Sequence, residues 1–211
     1  MKHITCYLDF VSPYAWLALE QMPKALQGLS YHIDYRPVLL GALLQGNANP
    51  GPAGIPAKRT WTYRHVTWLG RSLGIPLQMP ARHPFKPLPL LRLALAHGRD
   101  GSINRFVAQA VMKHVWQGGQ EANDAQRLQR LREQLKAQLR KEEDSAEVKQ
   151  WLRSNTEQAQ QAGVFGVPAW VVDGHVFWGL DALPMLQAYL RGDEWFAQQW
   201  EAAAGVSWGL E

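Results

Sequence analysis

The stretch that decides the fold is DFVSPYAW at residues 9–16. It follows residues 3–9, HITCYLD, which are rich in β-forming residues and predict a first strand. Ser12 precedes Pro13, and because serine is a preferred N-cap and proline is favoured at the first helical position, a helix is expected to begin here. Residues 30–36, SYHIDYR, alternate in polarity and predict a second strand. A strand, a helix and a strand in this order predict a βαβ unit with two parallel strands.

A long helical segment is predicted after this unit. Residues 45–57 are rich in proline and glycine and predict a loop. Residues 37–57 carry no charge, but their prolines and glycines argue against a transmembrane helix. Helical patterns then predict five helices, at about 58–73, 87–97, 101–116, 123–141 and 145–162.

Strand signals return at residues 168–172, PAWVV. The dipeptide Asp173-Gly174 that follows favours a hairpin, with residues 175–178 as the return strand. A last helix is predicted at 181–191, whereas the tail at 193–211 shows only weak periodicity.

This order of elements predicts an α/β domain that is interrupted by helices. We expect the α/β domain to comprise residues 1–57 plus 163–195, and the helical insertion to comprise residues 58–162.

Composition excludes several classes of protein. A net charge of +4 over 211 residues argues against nucleic acid as the main partner and suits small anionic ligands. The single cysteine, Cys6, excludes an internal disulfide and a CxxC redox pair. The seven histidines lack ligand-like spacing, so no metal site is predicted. The uncharged run after His3 is too short for a secretory signal, so a cytoplasmic location without membrane attachment is expected.

Ser12 is the first candidate functional residue. Its hydroxyl lies at a helix start just beyond the carboxyl end of a strand, where open α/β sheets bind ligands. Free N–H groups and a partial positive charge at a helix N-terminus stabilise an anion such as a thiolate. Since Cys6 lies within the strand, the thiol would have to come from a bound cofactor. The alternative is that Ser12 only caps the helix.

The second candidate motif is GVFGVP at residues 163–168. A proline that enters a strand from a glycine-containing turn is a candidate for a cis peptide bond. The alternative is a trans proline on an edge strand.

Taken together, these motifs resemble the thioredoxin superfamily, and in particular its DsbA-like branch with inserted helices. The resemblance implies an α/β, thioredoxin-like fold with a large all-helical insertion. That branch usually carries C-P-x-C at the helix start, but here Ser12 and Ala15 replace both cysteines, so disulfide exchange is excluded at this position. The S-P-Y version is similar to kappa-class glutathione transferases and to bacterial 2-hydroxychromene-2-carboxylate isomerases. The motifs that carry this resemblance are residues 9–14, 163–168 and 173–181.

The resemblance implies glutathione as the cofactor and a homodimer as the assembly. It implies that the Ser12 hydroxyl activates the glutathione thiol and that Asn49 and Lys58 contact glutathione. Val167, next to a cis Pro168, would pair its backbone with the cysteinyl unit like an added strand.

The resemblance also implies that Leu180 and Asp181 match the pair of residues that binds the γ-glutamyl end of glutathione. Relatives often carry asparagine at the position of Leu180 and also at the position of Lys86, which leaves the identity of the substrate open. Other roles are possible for three of the residues: Asp181 could cap the last helix, Lys58 could face solvent, and Lys86 could face either solvent or a substrate carboxylate.

The favoured hypothesis is a glutathione-dependent isomerase that acts on a small aromatic keto acid. It would interconvert 2-hydroxychromene-2-carboxylate and trans-o-hydroxybenzylidenepyruvate, or a similar unsaturated keto acid, by reversible thiolate addition. The alternatives are a glutathione transferase that conjugates electrophiles and a non-catalytic thioredoxin-fold binding protein.

Overall fold

The computed structural model describes residues 1–206 and 209. The chain begins with strand β1 (Lys2–Leu8), helix α1 (Pro13–Ala25) and strand β2 (Tyr31–Pro37). The two strands are parallel and paired along their whole length, which confirms the predicted βαβ unit.

The connection from β2 to the helical segment is partly helical, so the predicted loop over residues 45–57 is wrong in part. Helix α2 spans Leu40–Gly46 and the single turn α3 spans Gly51–Gly54. Helix α2 contains no proline, and Pro52 lies in the first turn of α3, where proline is tolerated. Pro56 likewise begins the next helix of the chain.

The five predicted helices of the insertion are all present. Three of them begin at capping residues, since the side chains of Asn104, Asp124 and Ser145 each accept a hydrogen bond from the third N–H of the helix. These caps place the starts of two helices a few residues later than predicted. The helices are α4 (Pro56–Leu73), α5 (Leu88–Ala96), α6 (Arg105–Trp116), α7 (Ala125–Leu135, continued by a 3₁₀ turn, Lys136–Gln138) and α8 (Ala146–Gln161).

The predicted hairpin completes the sheet. Strand β3 (Ala169–Val172) and strand β4 (His175–Trp178) are joined by Asp173 and Gly174, both of which have positive φ, as a tight two-residue hairpin turn requires. The strand order is β2-β1-β3-β4, and β3 is antiparallel to β1.

Two helices follow the hairpin: α9 (Leu183–Leu190) and α10 (Trp195–Ala204). Helix α9 begins two residues later than predicted and has Ala182 at its N-cap, so Asp181 is not the capping residue. The weakly periodic tail forms α10 because aromatic side chains pack it onto the sheet. The centroids of the Phe177 and Trp200 rings are 5.6 Å apart. Trp208, the last tryptophan of the tail, lies outside the described residues.

A continuous apolar core joins the sheet to the inserted helices. It contains the completely buried Trp170 of β3, Trp16 of α1 and Trp116 of α6. The division of the chain into two domains at residues 57/58 and 162/163 stays a prediction. Among the described residues, no helix combines the length and the apolar character needed to cross a membrane.

Candidate active site

Ser12 links the start of α1 to the segment before β3. Its side-chain oxygen accepts a hydrogen bond from the Ala15 N–H at 3.3 Å, which is the N-cap interaction. Its hydroxyl donates to the Val167 carbonyl at 3.2 Å, across 155 positions of sequence. The hydroxyl hydrogen is therefore engaged by Val167, and rotation about the Cβ–Oγ bond would direct it to another acceptor.

Pro168 lies directly beside Ser12. The Val167–Pro168 peptide bond is cis, so the trans edge-strand alternative is wrong. The Pro168 carbonyl accepts from the Gly179 N–H at 2.9 Å. Within the described part of the chain, the Val167 N–H donates to no other group. Among the described residues, the Val167 N–H is therefore a donor without a partner.

Leu180 and Asp181 follow β4 and are held next to Pro168 by the bond from Gly179. Gly179 has a φ of +102°, and a Cβ there would lie 2.4 Å from a carboxylate oxygen of Asp181. Glycine is thus needed both for this backbone conformation and for the close approach of the carboxylate. Asp181 is exposed and Leu180 is half-buried.

Tyr14, two residues after Ser12, connects α1 to α4. Its hydroxyl is 2.9 Å from Nδ1 of His65. Burial is the main factor that raises the pKa of Tyr14, and the negative charge of Asp181 raises it further. Tyr14 therefore contacts the insertion through His65 and senses the charge of Asp181, a connection that sequence reasoning missed.

Asn49 and Lys58 lie on the connection between β2 and α4. The Asn49 side chain accepts from the Gly51 N–H at 2.9 Å and so orders the turn before α3. Lys58 is exposed in the first turn of α4. Among the described residues, no hydrogen bond or ion pair joins either side chain to Ser12.

The face of α4 that meets Tyr14 also carries Lys58. Residues 58, 61 and 65 follow the spacing of one helix face, and the Trp61 and His65 rings stack at 5.8 Å. Lys58 is about 10 Å along the helix from His65, at 1.5 Å per residue. This face therefore extends from an exposed ammonium group to the neighbourhood of Tyr14.

Two side chains of the insertion hold the backbone that leads into Ser12. Nε2 of His83 lies 2.8 Å from the Val11 carbonyl, and Nε1 of Trp116 donates to the Phe10 carbonyl at 3.1 Å. A carbonyl can only accept, so His83 carries a proton on Nε2. The Tyr63 hydroxyl donates to the His83 carbonyl at 2.8 Å and lies 2.9 Å from Nδ1. Burial lowers the pKa of His83, which keeps the ring neutral.

The Asp9 side chain supports the same loop by hydrogen bonds to the backbone. Its two carboxylate oxygens accept from the Val11 N–H at 3.1 Å and from the Leu40 N–H at 2.9 Å. The side chain is completely buried, and burial raises the pKa of Asp9 to about 7, although the backbone hydrogen bonds oppose this shift. The sequence shows Asp9 as an acid at the end of an apolar strand. It does not indicate the hydrogen bond with Leu40, because the two residues are distant in sequence.

The sheet, the serine at the N-terminus of α1 and the cis proline beside it define a class: thioredoxin-fold proteins without the cysteine pair of disulfide exchange. Residues 3–191 match the family described as the DSBA-like thioredoxin domain. The chain belongs to this family.

The chain is also similar to characterised enzymes. It is 29% identical over 196 residues to a 2-hydroxychromene-2-carboxylate isomerase of Sphingobium xenophagum, across 90% of this chain and 98% of the relative. It is 27% identical over 207 residues to glutathione S-transferase kappa 2 of Caenorhabditis elegans, across 90% and 92% of the two chains. A solved 2-hydroxychromene-2-carboxylate isomerase has the same fold, with a TM-score of 0.72 and 21% identity over 97% of this chain and all of that one. These relatives are isomerases and glutathione transferases.

Proposed function

We propose that the protein is a glutathione-dependent isomerase that interconverts 2-hydroxychromene-2-carboxylate and trans-o-hydroxybenzylidenepyruvate, or a similar unsaturated keto acid. The observation that carries this proposal is the Ser12 hydroxyl, which lies at the N-terminus of α1 and 3.2 Å from the Val167 carbonyl beside cis-Pro168. The similarity to isomerases supports the choice of reaction.

The residues around Ser12 fit a short peptide with charged ends. The Val167 N–H has no partner among the described residues, so it can pair with an extended peptide as an added strand would. Lys58 offers a positive charge for a carboxylate, and Asp181 offers a negative charge for an ammonium group. Asn49, Pro168 and Leu180 complete the proposed glutathione site.

Bound glutathione would supply a thiolate that adds reversibly to an electron-poor carbon of the substrate and so permits rotation about a former double bond. Ser12 would make the thiolate available near neutral pH, because its hydroxyl hydrogen can turn from the Val167 carbonyl towards the sulfur. A hydrogen bond to a charged group contributes about 1.5–3 kcal/mol, against about 0.5–1.5 kcal/mol for a neutral one. The turn is therefore favourable once the thiol ionises, and the N-terminus of α1 adds to the effect.

The test is calorimetry of glutathione binding at pH 7 in two buffers of different ionisation enthalpy, which measures proton release. We expect the wild type to release protons on binding and Ser12→Ala to lose this release. Ser145→Ala is the matched control, since Ser145 caps α8 with the same 3.3 Å bond and lies in the insertion. No binding by the wild type at millimolar glutathione, or equal proton release in both variants, would contradict the proposal.

A glutathione transferase is the second candidate, because kappa-class transferases from C. elegans, rat and human are also similar to the chain. The two activities differ in the fate of the cofactor. After complete conversion of the keto acid, an isomerase leaves the glutathione concentration unchanged, whereas a transferase consumes one glutathione per product. Thiol titration of the finished reaction distinguishes them.

We also propose that the enzyme acts in the cytoplasm, since the uncharged run after His3 is too short for a secretory signal. We propose in addition that it is a homodimer, as the resemblance to kappa-class enzymes implies. Sedimentation equilibrium would then give twice the chain mass of 23.9 kDa.

A further inference from the structure

Two histidines and an aspartate meet on the sheet, away from Ser12. The parallel register of β1 and β2 places His3 directly opposite His32. Asp34 lies two residues beyond His32 and therefore on the same face of β2. β2 is an edge strand of the sheet, and the two imidazoles are more than half exposed. The three side chains are thus held by two rigid strands and are open to solvent.

The distances within this cluster are close to those between ligand atoms of one metal ion, and also to those of ordinary hydrogen bonds from neutral imidazoles. His3 Nε2 lies 3.2 Å from one oxygen of Asp34, and His32 Nε2 lies 3.3 Å from the other. Charge-assisted hydrogen bonds are usually shorter, about 2.7–2.9 Å. In a tetrahedral zinc site with bonds of about 2.0–2.1 Å, neighbouring ligand atoms are about 3.3 Å apart. All three ligand atoms lie within 4.8 Å of one another, so a small shift of the imidazoles allows one ion to reach each of them.

We propose that His3, His32 and Asp34 bind a divalent transition-metal ion, with Zn²⁺ as the best fit. Imidazole suits Zn²⁺ and related ions, and two imidazoles with one carboxylate form a familiar three-residue set that leaves a position for water. The Ser102 hydroxyl donates to Asp34 at 3.4 Å and would orient the carboxylate, as outer-shell partners do in metal sites.

The bound ion would join the edge strand to its neighbour. Anything that binds the folded chain and not the unfolded chain raises the free energy of unfolding by mass action. Spacing along the chain predicts no metal site here, because the two histidines are far apart in sequence and only strand pairing brings them together. The inference is independent of the proposed enzymatic function, since it involves none of the residues around Ser12.

The test is calorimetric titration of the metal-free full-length protein with Zn²⁺ alone. The protein must carry no polyhistidine tag and the buffer no thiol, since both bind zinc. We expect one ion per chain and a loss of affinity of about 100-fold or more in either His3→Gln or His32→Gln, since loss of an outer-shell partner already costs about 10–100-fold. His175→Gln is the matched control, because His175 is a partly exposed histidine on β4 outside the cluster. This variant should bind Zn²⁺ as tightly as the wild type.

A second readout guards against misfolded variants. Co²⁺ bound by four ligands gives visible absorption bands, which should appear with the wild type and His175→Gln and be lost with His32→Gln, while circular dichroism shows all three folded. The proposal is overturned if the wild type shows no saturable Zn²⁺ binding, or if His3→Gln and His32→Gln both bind as tightly as the wild type.

Discussion

At the scale of single residues, the loop that carries Ser12 depends on a buried acid. Asp9 accepts hydrogen bonds from Val11 in its own loop and from Leu40 after β2. It therefore joins the carboxyl ends of the two parallel strands and sets the position of the Ser12 backbone. We regard Asp9 as a positioning residue, because its carboxylate is completely buried and Ser12 carries the hydroxyl that would meet a ligand.

Asp9 makes stability dependent on pH with an unusual sign for a carboxyl group. Burial raises its pKa from the ordinary 3.8 to about 7, so between these values the folded chain keeps a proton that the unfolded chain has lost. Its contribution to stability is therefore full below about pH 4 and declines as the pH rises to about 7. We expect Asp9→Asn to remove this decline, which urea unfolding at several pH values in that range measures. Parallel curves for wild type and variant would contradict the assignment.

At the scale of elements, the inserted helices hold the active-site loop by its backbone. His83 comes from the segment between α4 and α5, and Trp116 comes from the end of α6. Each donates to one of the two carbonyls that immediately precede Ser12 in the chain. The insertion is thus part of the site's framework, in addition to covering the sheet.

This coupling predicts that His83→Phe weakens glutathione binding and reduces proton release, because the Val11 carbonyl loses its donor and the loop can shift. His114→Phe is a matched control. His114 Nε2 also lies 2.8 Å from a backbone carbonyl, that of Ala122, and burial lowers its pKa as well. Both variants should lose about 1–3 kcal/mol of stability, the usual cost of an unsatisfied buried group. In calorimetry, only His83→Phe should weaken glutathione binding. Equal effects of the two variants on binding would argue against the coupling.

The contribution of His83 to stability changes with pH in the opposite direction to that of Asp9. Its pKa is lowered in the folded state, so the unfolded chain takes up a proton first as the pH falls below about 6.5. The stability contributed by the neutral ring is present above that pH and is lost below it. Each residue therefore has to be tested by its own substitution, because the two slopes oppose each other just below about pH 6.5.

At the scale of the whole molecule, the C-terminal helix packs an aromatic cluster against strand β4 of the sheet. Phe177 of β4 is buried against Phe196 and Trp200 of α10, and Tyr189 of α9 packs beside them. Such contacts bury a large apolar area and stabilise the fold by the hydrophobic effect.

We expect Trp200→Ala to lower the free energy of unfolding by about 2–4 kcal/mol, in the lower part of the range for large aromatic deletions because the side chain is only partly buried. Trp68→Ala is the control. Trp68 is 60% exposed on α4, so its loss should change stability by about 0.5 kcal/mol or less. Urea unfolding at neutral pH compares the two, and a similar loss in both would mean that α10 does not stabilise the sheet.

Much of the fold was predictable because it depends on neighbours in sequence. The Ser12-Pro13 helix start, the Asp173-Gly174 hairpin and the periodic patterns of the insertion all reflect interactions within a few residues. The misses follow the same logic. Part of the predicted loop at 45–57 forms the end of α2 and the single turn α3. The tail forms α10 through aromatic contacts with β4, which the local pattern did not indicate.

Sequence by itself determined the class of fold, the cis proline as a candidate and the serine at the head of α1. Tertiary structure alone decided which groups meet there: Val167 with Ser12, His83 with Val11, and Leu40 with Asp9. It also decided that His3 and His32 are neighbours. The physical reason is that local conformation is set by backbone and side-chain preferences over a few residues, whereas contacts across many positions depend on strand register and on how the helices pack.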